Sequence, residues 1–262
     1  MSAIAERLRA LLQRIQKQHE LTRKSPDVQG RLAALRHWQA LRLEVTYADI
    51  RPQKRFAAAC EFFLNDLYGE GDFGDRDRAV ERVVPIMLRL LPEPVLNSLA
   101  RAIELNALSQ ELDFAAARAL PAQCTSAAKI SDEDYARAYL ASAGLGQLPV
   151  ERNPRKRRSS SQRCRREQLA LLLILGRELD RLVKKPLLNE LLRMCRWPAK
   201  LAGLGALQSF LERGFAAFGK LSGAGPFLGI ILKRERAFMR AIDRVADGDT
   251  SIHFQQPNSW SR

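Results

Sequence analysis

What this chain lacks narrows the field first. Its longest uninterrupted apolar run, Leu169–Leu175, falls far short of the ~20 residues that a membrane-spanning helix needs. The N-terminal stretch MSAIAERLRALLQRIQKQ carries a charge every few residues and has no continuous apolar centre. It therefore does not read as a secretory leader, and a cytoplasmic location is expected. Four cysteines (Cys60, Cys124, Cys164 and Cys195) are scattered without a C-x-x-C pair or a neighbouring histidine, which argues against a disulfide framework or a thiolate zinc site. Aromatic residues make up only 7% of the chain. No stretch alternates apolar and polar residues between hairpin signals, so no sheet is expected. No internal repeat is evident at a period of about 20–50 residues.

Hydrolytic and redox chemistry find little footing. There is no H-E-x-x-H and no G-x-S-x-G. None of the three histidines (His19, His37, His253) has a glutamate three positions before it, as di-iron helical bundles require. His37, beside Trp38, is the one position where a haem ligand is conceivable. GFAAFGKL (214–221) has the glycine spacing and lysine of a phosphate loop but Leu221 where Ser or Thr should hold magnesium. Phe215 and Phe218 also extend the apolar stripe of Leu204, Leu207 and Leu211, which favours a packed helix. Asp72-Phe73-Gly74 lacks the rest of a kinase motif set. The carboxylates Asp72, Asp75, Asp77 and Glu81 are interleaved with Arg76, Arg78 and Arg82, cations that compete with a metal for the same oxygens. No cofactor and no metal site is expected.

What the chain does contain is helix-forming sequence. Hydrophobic residues are 46% of the total, and Leu, Ala and Arg, all strong helix formers, dominate. Leu8, Leu11, Leu12 and Ile15 recur at helical spacing. Ser25-Pro26-Asp27 and Ser131-Asp132-Glu133-Asp134 read as helix starts. Further helices are predicted through Phe56–Leu67, after Asp75 with a bend at Pro85, through Leu96–Leu108, from about Glu167 to Lys184, from Pro186, from Pro198 to Lys220 and from Pro226 to Val245. The expectation is an all-α bundle of about eight or nine helices over residues 1–246. Its halves, 1–149 and 167–246, would be joined by a basic linker at 150–166, and 247–262 would form a disordered polar tail.

Charge is polarised along the chain. The net charge of +14 divides into +7 over residues 1–55, −6 over 56–150 and +13 over 151–262, so much of it can be satisfied internally. The linker concentrates Arg152, Arg155, Lys156, Arg157, Arg158, Arg163, Arg165 and Arg166. It has no aromatics for base stacking and would engage phosphates as a flexible polycation. Arg177, Arg181 and Lys184 share one helical face, and Lys233, Arg236, Arg240 and Arg244 share another. A second candidate surface is the hairpin around Phe62, Phe63, Asp66, Tyr68, Asp72, Phe73 and Asp75. There an aromatic and acidic turn could contact a partner, although Phe62 and Phe63 should not both face inward on a helix.

FFLNDLYG (62–69) with DFGDRDRAVERVVPIMLRLLP (72–92), ARAIELNALSQELD (100–113) and KPLLNELLRMCRWPAKLAGLGALQSFLERGFAAF (185–218) resembles an uncharacterised family of helical proteins from proteobacteria. The likeness covers roughly Leu32–Val245 and is weakest in the basic linker. It implies a helical unit in a bacterial cytoplasm and assigns no catalytic residue. The function expected is a non-enzymatic binding or adaptor module for a partner protein or apolar ligand. The alternatives are a binder of nucleic acid or another anionic surface through 152–166, and a helical cofactor-binding enzyme.

Overall fold

A computed structural model describes residues 3–67, 84, 88, 92–142, 154–194, 196–201 and 203–256, and among them there is no strand. The all-α expectation holds. In chain order the helices are α1 (Ala3–Arg23), α2 (Pro26–Tyr47) and α3 (Ala57–Glu61), which runs into a π-helical turn (Phe62–Leu67). Then come α4 (Glu93–Ala119), a 3₁₀ turn (Ala127–Lys129), α5 (Asp132–Ala141), α6 (Pro154–Leu182), α7 (Pro186–Met194), α8 (Arg196–Leu201), α9 (Gly205–Gly219) and α10 (Gly225–Ala246). Val84 and Leu88, between the π turn and α4, are also helical. The predicted bend at Pro85 and the cap at Asp75 lie outside the described residues.

Three buried clusters hold these elements together. In the first, Ile4, Leu8, Leu11 and Ile15 of α1 meet Leu96, Ala100, Ile103 and Ala107 of α4. Both sets follow the 4-3-4 spacing of a heptad seam. Arg7 pairs with Glu104 at 2.6 Å and Arg14 with Glu111 at 2.5 Å. The two bonds are one heptad apart in the same direction, so α1 and α4 run parallel. The second cluster joins α2, the end of α4, α5 and α10. Trp38 stacks on Tyr135 with ring centroids 3.8 Å apart, and Phe238 and Phe254 close around them. The third gathers the end of α2, α3, the π turn, α6, α9 and the start of α10. The second and third clusters draw on both halves of the chain.

Sequence signals mark several boundaries correctly. Ser131 caps α5, its hydroxyl accepting from the Asp134 amide at 3.0 Å. Ser25 stands at the N-cap of α2 before Pro26, but its side chain makes no capping bond. The single helix expected over 198–220 is interrupted at Gly203, whose φ of 70° is readily adopted only without a side chain.

Three expectations are corrected. The supposed linker is helical from Pro154, thirteen positions before the predicted start at Glu167. The tail is not loose where it is described, because Ile252 and Phe254 are buried in the second cluster. A Schellman turn sends it there: Gly248, at φ 101°, donates to the Val245 carbonyl and Asp249 donates to the Arg244 carbonyl, both at 3.0 Å. Finally, Phe62 and Phe63 are both buried. The wider π turn is wedged between two helices, so Phe62 reaches Phe210 of α9 (centroids 5.3 Å apart) and Phe63 reaches Tyr47 of α2 (5.5 Å). Among the described residues no helix is long and apolar enough to cross a membrane.

Candidate anion-binding face

The basic residues of α6 and α10 divide by helical phase into an inner and an outer set. The inner set is used up by the fold. Arg158 bonds Asp243 at 2.9 Å and Asp247 at 2.7 Å, across to α10. Arg165 is buried, with its guanidinium 4.3 Å from the Tyr139 ring centroid and donating to Ser142 Oγ and Gln168 Oε1. Ser142 and Ser161 both donate to the Tyr139 carbonyl at 2.6 Å. Arg165 therefore sits at the C-terminal end of α5, where the helix dipole supplies partial negative charge. Arg42 of α2 forms a two-pronged pair with Glu235 of α10 (2.7 and 3.2 Å), lies 4.0 Å over the Phe238 ring and shares Glu235 with the Tyr47 hydroxyl. Burial opposes the Arg42 charge, but the Glu235 carboxylate more than offsets it and holds the guanidinium pKa above its ordinary value.

The outer set lies on one side of the molecule, and elementary helix geometry shows why. Arg158 and Gln162 meet Asp243, and Gly176 lies so close to Leu228 that a Cβ there would come within 2.5 Å of Leu228 Cδ2. These contacts make α6 and α10 antiparallel. One residue onward is a rotation of about 100°. Arg163 follows Gln162 and Arg177 follows Gly176, while Gly229 follows Leu228 and Arg244 follows Asp243; all four of these successors are exposed. In an antiparallel pair the same forward step turns both helices outward on the same side. The exposed stripe Arg163, Arg166, Arg177 and Arg181 on α6 therefore borders the exposed stripe Lys233, Arg236 and Arg240 on α10. Glu167 is the one acidic residue among the exposed positions of α6 from 163 to 181. Arg244 is neutralised by Asp249 at 2.6 Å. The face runs about 27 Å along α6 at about 1.5 Å per residue.

The predicted site residues are placed as follows. Of the polycationic run, Arg163 and Arg166 lie on this face, Arg155 and Lys156 are exposed near the start of α6, Arg158 is half-buried and paired with Asp243 and Asp247, and Arg165 is buried. Arg152 and the Arg157 side chain lie outside the described residues. Of the hairpin patch, Phe62 and Phe63 are core and Asp66 is held by Arg213 at 2.6 Å. Tyr68, Asp72, Phe73 and Asp75 lie outside the described residues, as do Asp77 and Glu81.

Other chemistry finds little support on the described residues. His37 is exposed on α2 rather than facing a core. The described residues contain no cluster of three or more His, Cys, Asp or Glu side chains able to hold a metal. Burial pushes the Cys60 thiol up to about 11, away from nucleophilic use. The 214–221 segment is helix as far as Gly219 and turn at Lys220 and Leu221, with Gly214 under the Phe62 ring rather than in a phosphate loop; a Cβ there would lie 2.9 Å from Phe62 Cζ. A cleft of about 500 Å³ beside Trp38, Ile130 and Ile252 is rimmed by Asp132, Glu133 and Asp249, the wrong sign for an anion.

The model of a family described as a domain of unknown function (DUF8198) matches residues 18–147 and 155–248. No curated protein and no solved structure matches the chain.

Proposed function

The chain belongs to the DUF8198 family, and from that premise we propose that it is a non-enzymatic binding protein that holds a phosphate-rich polyanion on the outer face of α6 and α10. One observation carries this reading: two antiparallel helices turn their basic stripes to the same side, while the inner arginines of the same helices are consumed by internal partners. A solvated surface that served only solubility would mix both signs. Here Arg163, Arg166, Arg177, Arg181, Lys233, Arg236 and Arg240 face outward with Glu167 alone opposing them on α6. The polycation is an ordered helical face, which spares the ordering entropy that a flexible linker would lose on binding.

The test is binding to a duplex DNA oligonucleotide and retention on heparin over a range of salt. Each phosphate contact contributes about 0.9 to the slope of log K against log salt. The Arg163→Gln/Arg166→Gln/Arg236→Gln/Arg240→Gln variant should fold normally and flatten that slope by about 3.6. Wild-type protein that ignores both polymers at low salt, or a variant as well retained as wild type, would overturn the proposal.

A further inference from the structure

We infer that the phosphate-rich partner is the surface of a lipid bilayer carrying anionic headgroups, and that Met194 and Trp197 are the side chains that enter it; this rests on the polyanion reading above. Met194 is 75% exposed and Trp197 71%, whereas the other large apolar side chains left open among the described residues, Leu21 and Ile174, are 39% and 38% exposed. The two stand three positions apart at the facing ends of α7 and α8. Their placement is held from beneath. Arg196 grips Glu212 of α9 through two bonds of 2.7 and 2.8 Å, and Gln208 of α9 donates to the Leu192 carbonyl at 2.5 Å. The junction cannot readily roll its apolar groups inward without breaking these bonds.

The charge around this knuckle selects the occupant. Lys185, Arg193 and Lys200 are exposed against one exposed acid, Glu190, and Arg196 and Glu212 neutralise each other. The segment begins four residues beyond Arg181, where the basic face of α6 ends. A cationic rim around an open tryptophan and methionine suits a partner that is anionic outside and apolar just beneath. Nucleic acid would stack on the indole but offers no apolar bed for the thioether. A bilayer accepts both: the indole sits at headgroup level while lysine and arginine stems lie along the apolar boundary with their charges outward. Short amphipathic helices with basic flanks dock on a surface in this way without crossing it.

Flotation of the full chain with phosphatidylcholine vesicles, with and without phosphatidylglycerol, tests the inference, with heparin retention run in parallel. Wild type should float with the anionic vesicles alone. Met194→Ser/Trp197→Ser should lose about tenfold or more in partitioning and keep its heparin retention and melting temperature. In a Trp260→Phe background, tryptophan emission should shift to the blue on adding anionic vesicles. That signal reports Trp197, because Trp38 is buried against Tyr135. Retention on heparin without flotation sinks the bilayer assignment and leaves the polyanion reading standing. Failure on both sinks both. Equal flotation of the double variant overturns the role of Met194 and Trp197.

Discussion

Arg165 and Arg166 are neighbours in α6 and have opposite fates. Arg165 is 5% exposed, stacked on Tyr139 and bonded to Ser142, while Arg166 points to solvent on the basic face. The contrast extends across the molecule: Arg14, Arg42 and Arg158 bind helices to one another, and Arg163, Arg236 and Arg240 serve none of those contacts. A count of positive charge treats the two sets alike. Helical phase separates them, and only the outer set is available to a ligand.

The sharpest way to break this comparison is to remove a carboxylate from the inner set. Glu235→Ala leaves Arg42 buried without its counter-charge, and breaking such a pair destabilises by about 3–5 kcal/mol. Urea unfolding at neutral pH measures it. Replacing both partners, as Arg42→Met with Glu235→Leu, should destabilise less than either single change. The residual loss would reflect the Tyr47 hydroxyl, which loses its acceptor at a cost of about 1 kcal/mol. The outer-set glutamine variant should change stability by less than about 0.5 kcal/mol. A large effect there would erase the distinction between the two sets.

Next in size is a change where packing alone is at stake. Gly214→Ala would place a methyl 2.9 Å from the Phe62 ring, which is itself buried against Phe210. Overpacking of this kind typically costs about 1–3 kcal/mol. Phe62→Leu on the same chain should recover part of the loss. An unchanged midpoint for Gly214→Ala would mean that α9 and the π turn are not in close contact. Ser131→Ala, which removes the cap of α5, should cost about 1 kcal/mol. Because α5 packs against Trp38 and Arg165 through Tyr135 and Tyr139 and contributes nothing to the outer face, this loss should leave heparin retention untouched.

How much of this was legible in the sequence depended on what faces inward. Where apolar residues do, as in α1, α2 and α10, the period marks the helices well. The first turns of α6 escaped notice because their inward positions are Ser161 and Arg165, a small hydroxyl and a stacked cation, which leave no apolar stripe to read. The tail hides its packing for a related reason: two apolar residues, Ile252 and Phe254, are too few to make a period, although both are buried. A one-helix pattern does not let Phe62 and Phe63 both face inward, because the π turn and its position between α2 and α9 have no signature in it. The basic stripe of α10 and the Arg177–Arg181 end of the α6 stripe are each visible alone, whereas Arg163 and Arg166 read as linker. The meeting of the two stripes on one side is not visible, since it depends on the antiparallel contacts at Asp243 and Gly176.

The smallest expected effect concerns acid. Asp49, at the end of α2, accepts two bonds from Arg234 of α10, at 2.7 and 2.6 Å. Those bonds hold its carboxyl below the usual aspartate range against the opposing effect of burial. A carboxylate whose folded-state pKa is depressed stabilises the fold fully above its unfolded value of about 3.9, and that contribution is lost as pH falls through the folded value. Asp49→Asn should therefore reduce stability slightly at neutral pH and flatten the acid limb of the stability curve below about pH 4. The Asp49 side chain is 63% exposed, so solvent screens the pair and the difference should stay below about 1 kcal/mol. Arg234 keeps its bond to the Thr46 carbonyl and its place beside the Tyr47 ring in the variant. An acid limb as steep as that of wild type would show that the Asp49–Arg234 pair contributes nothing, and that α10 is held to α2 through Arg42 and the Arg234 bond to the Thr46 carbonyl.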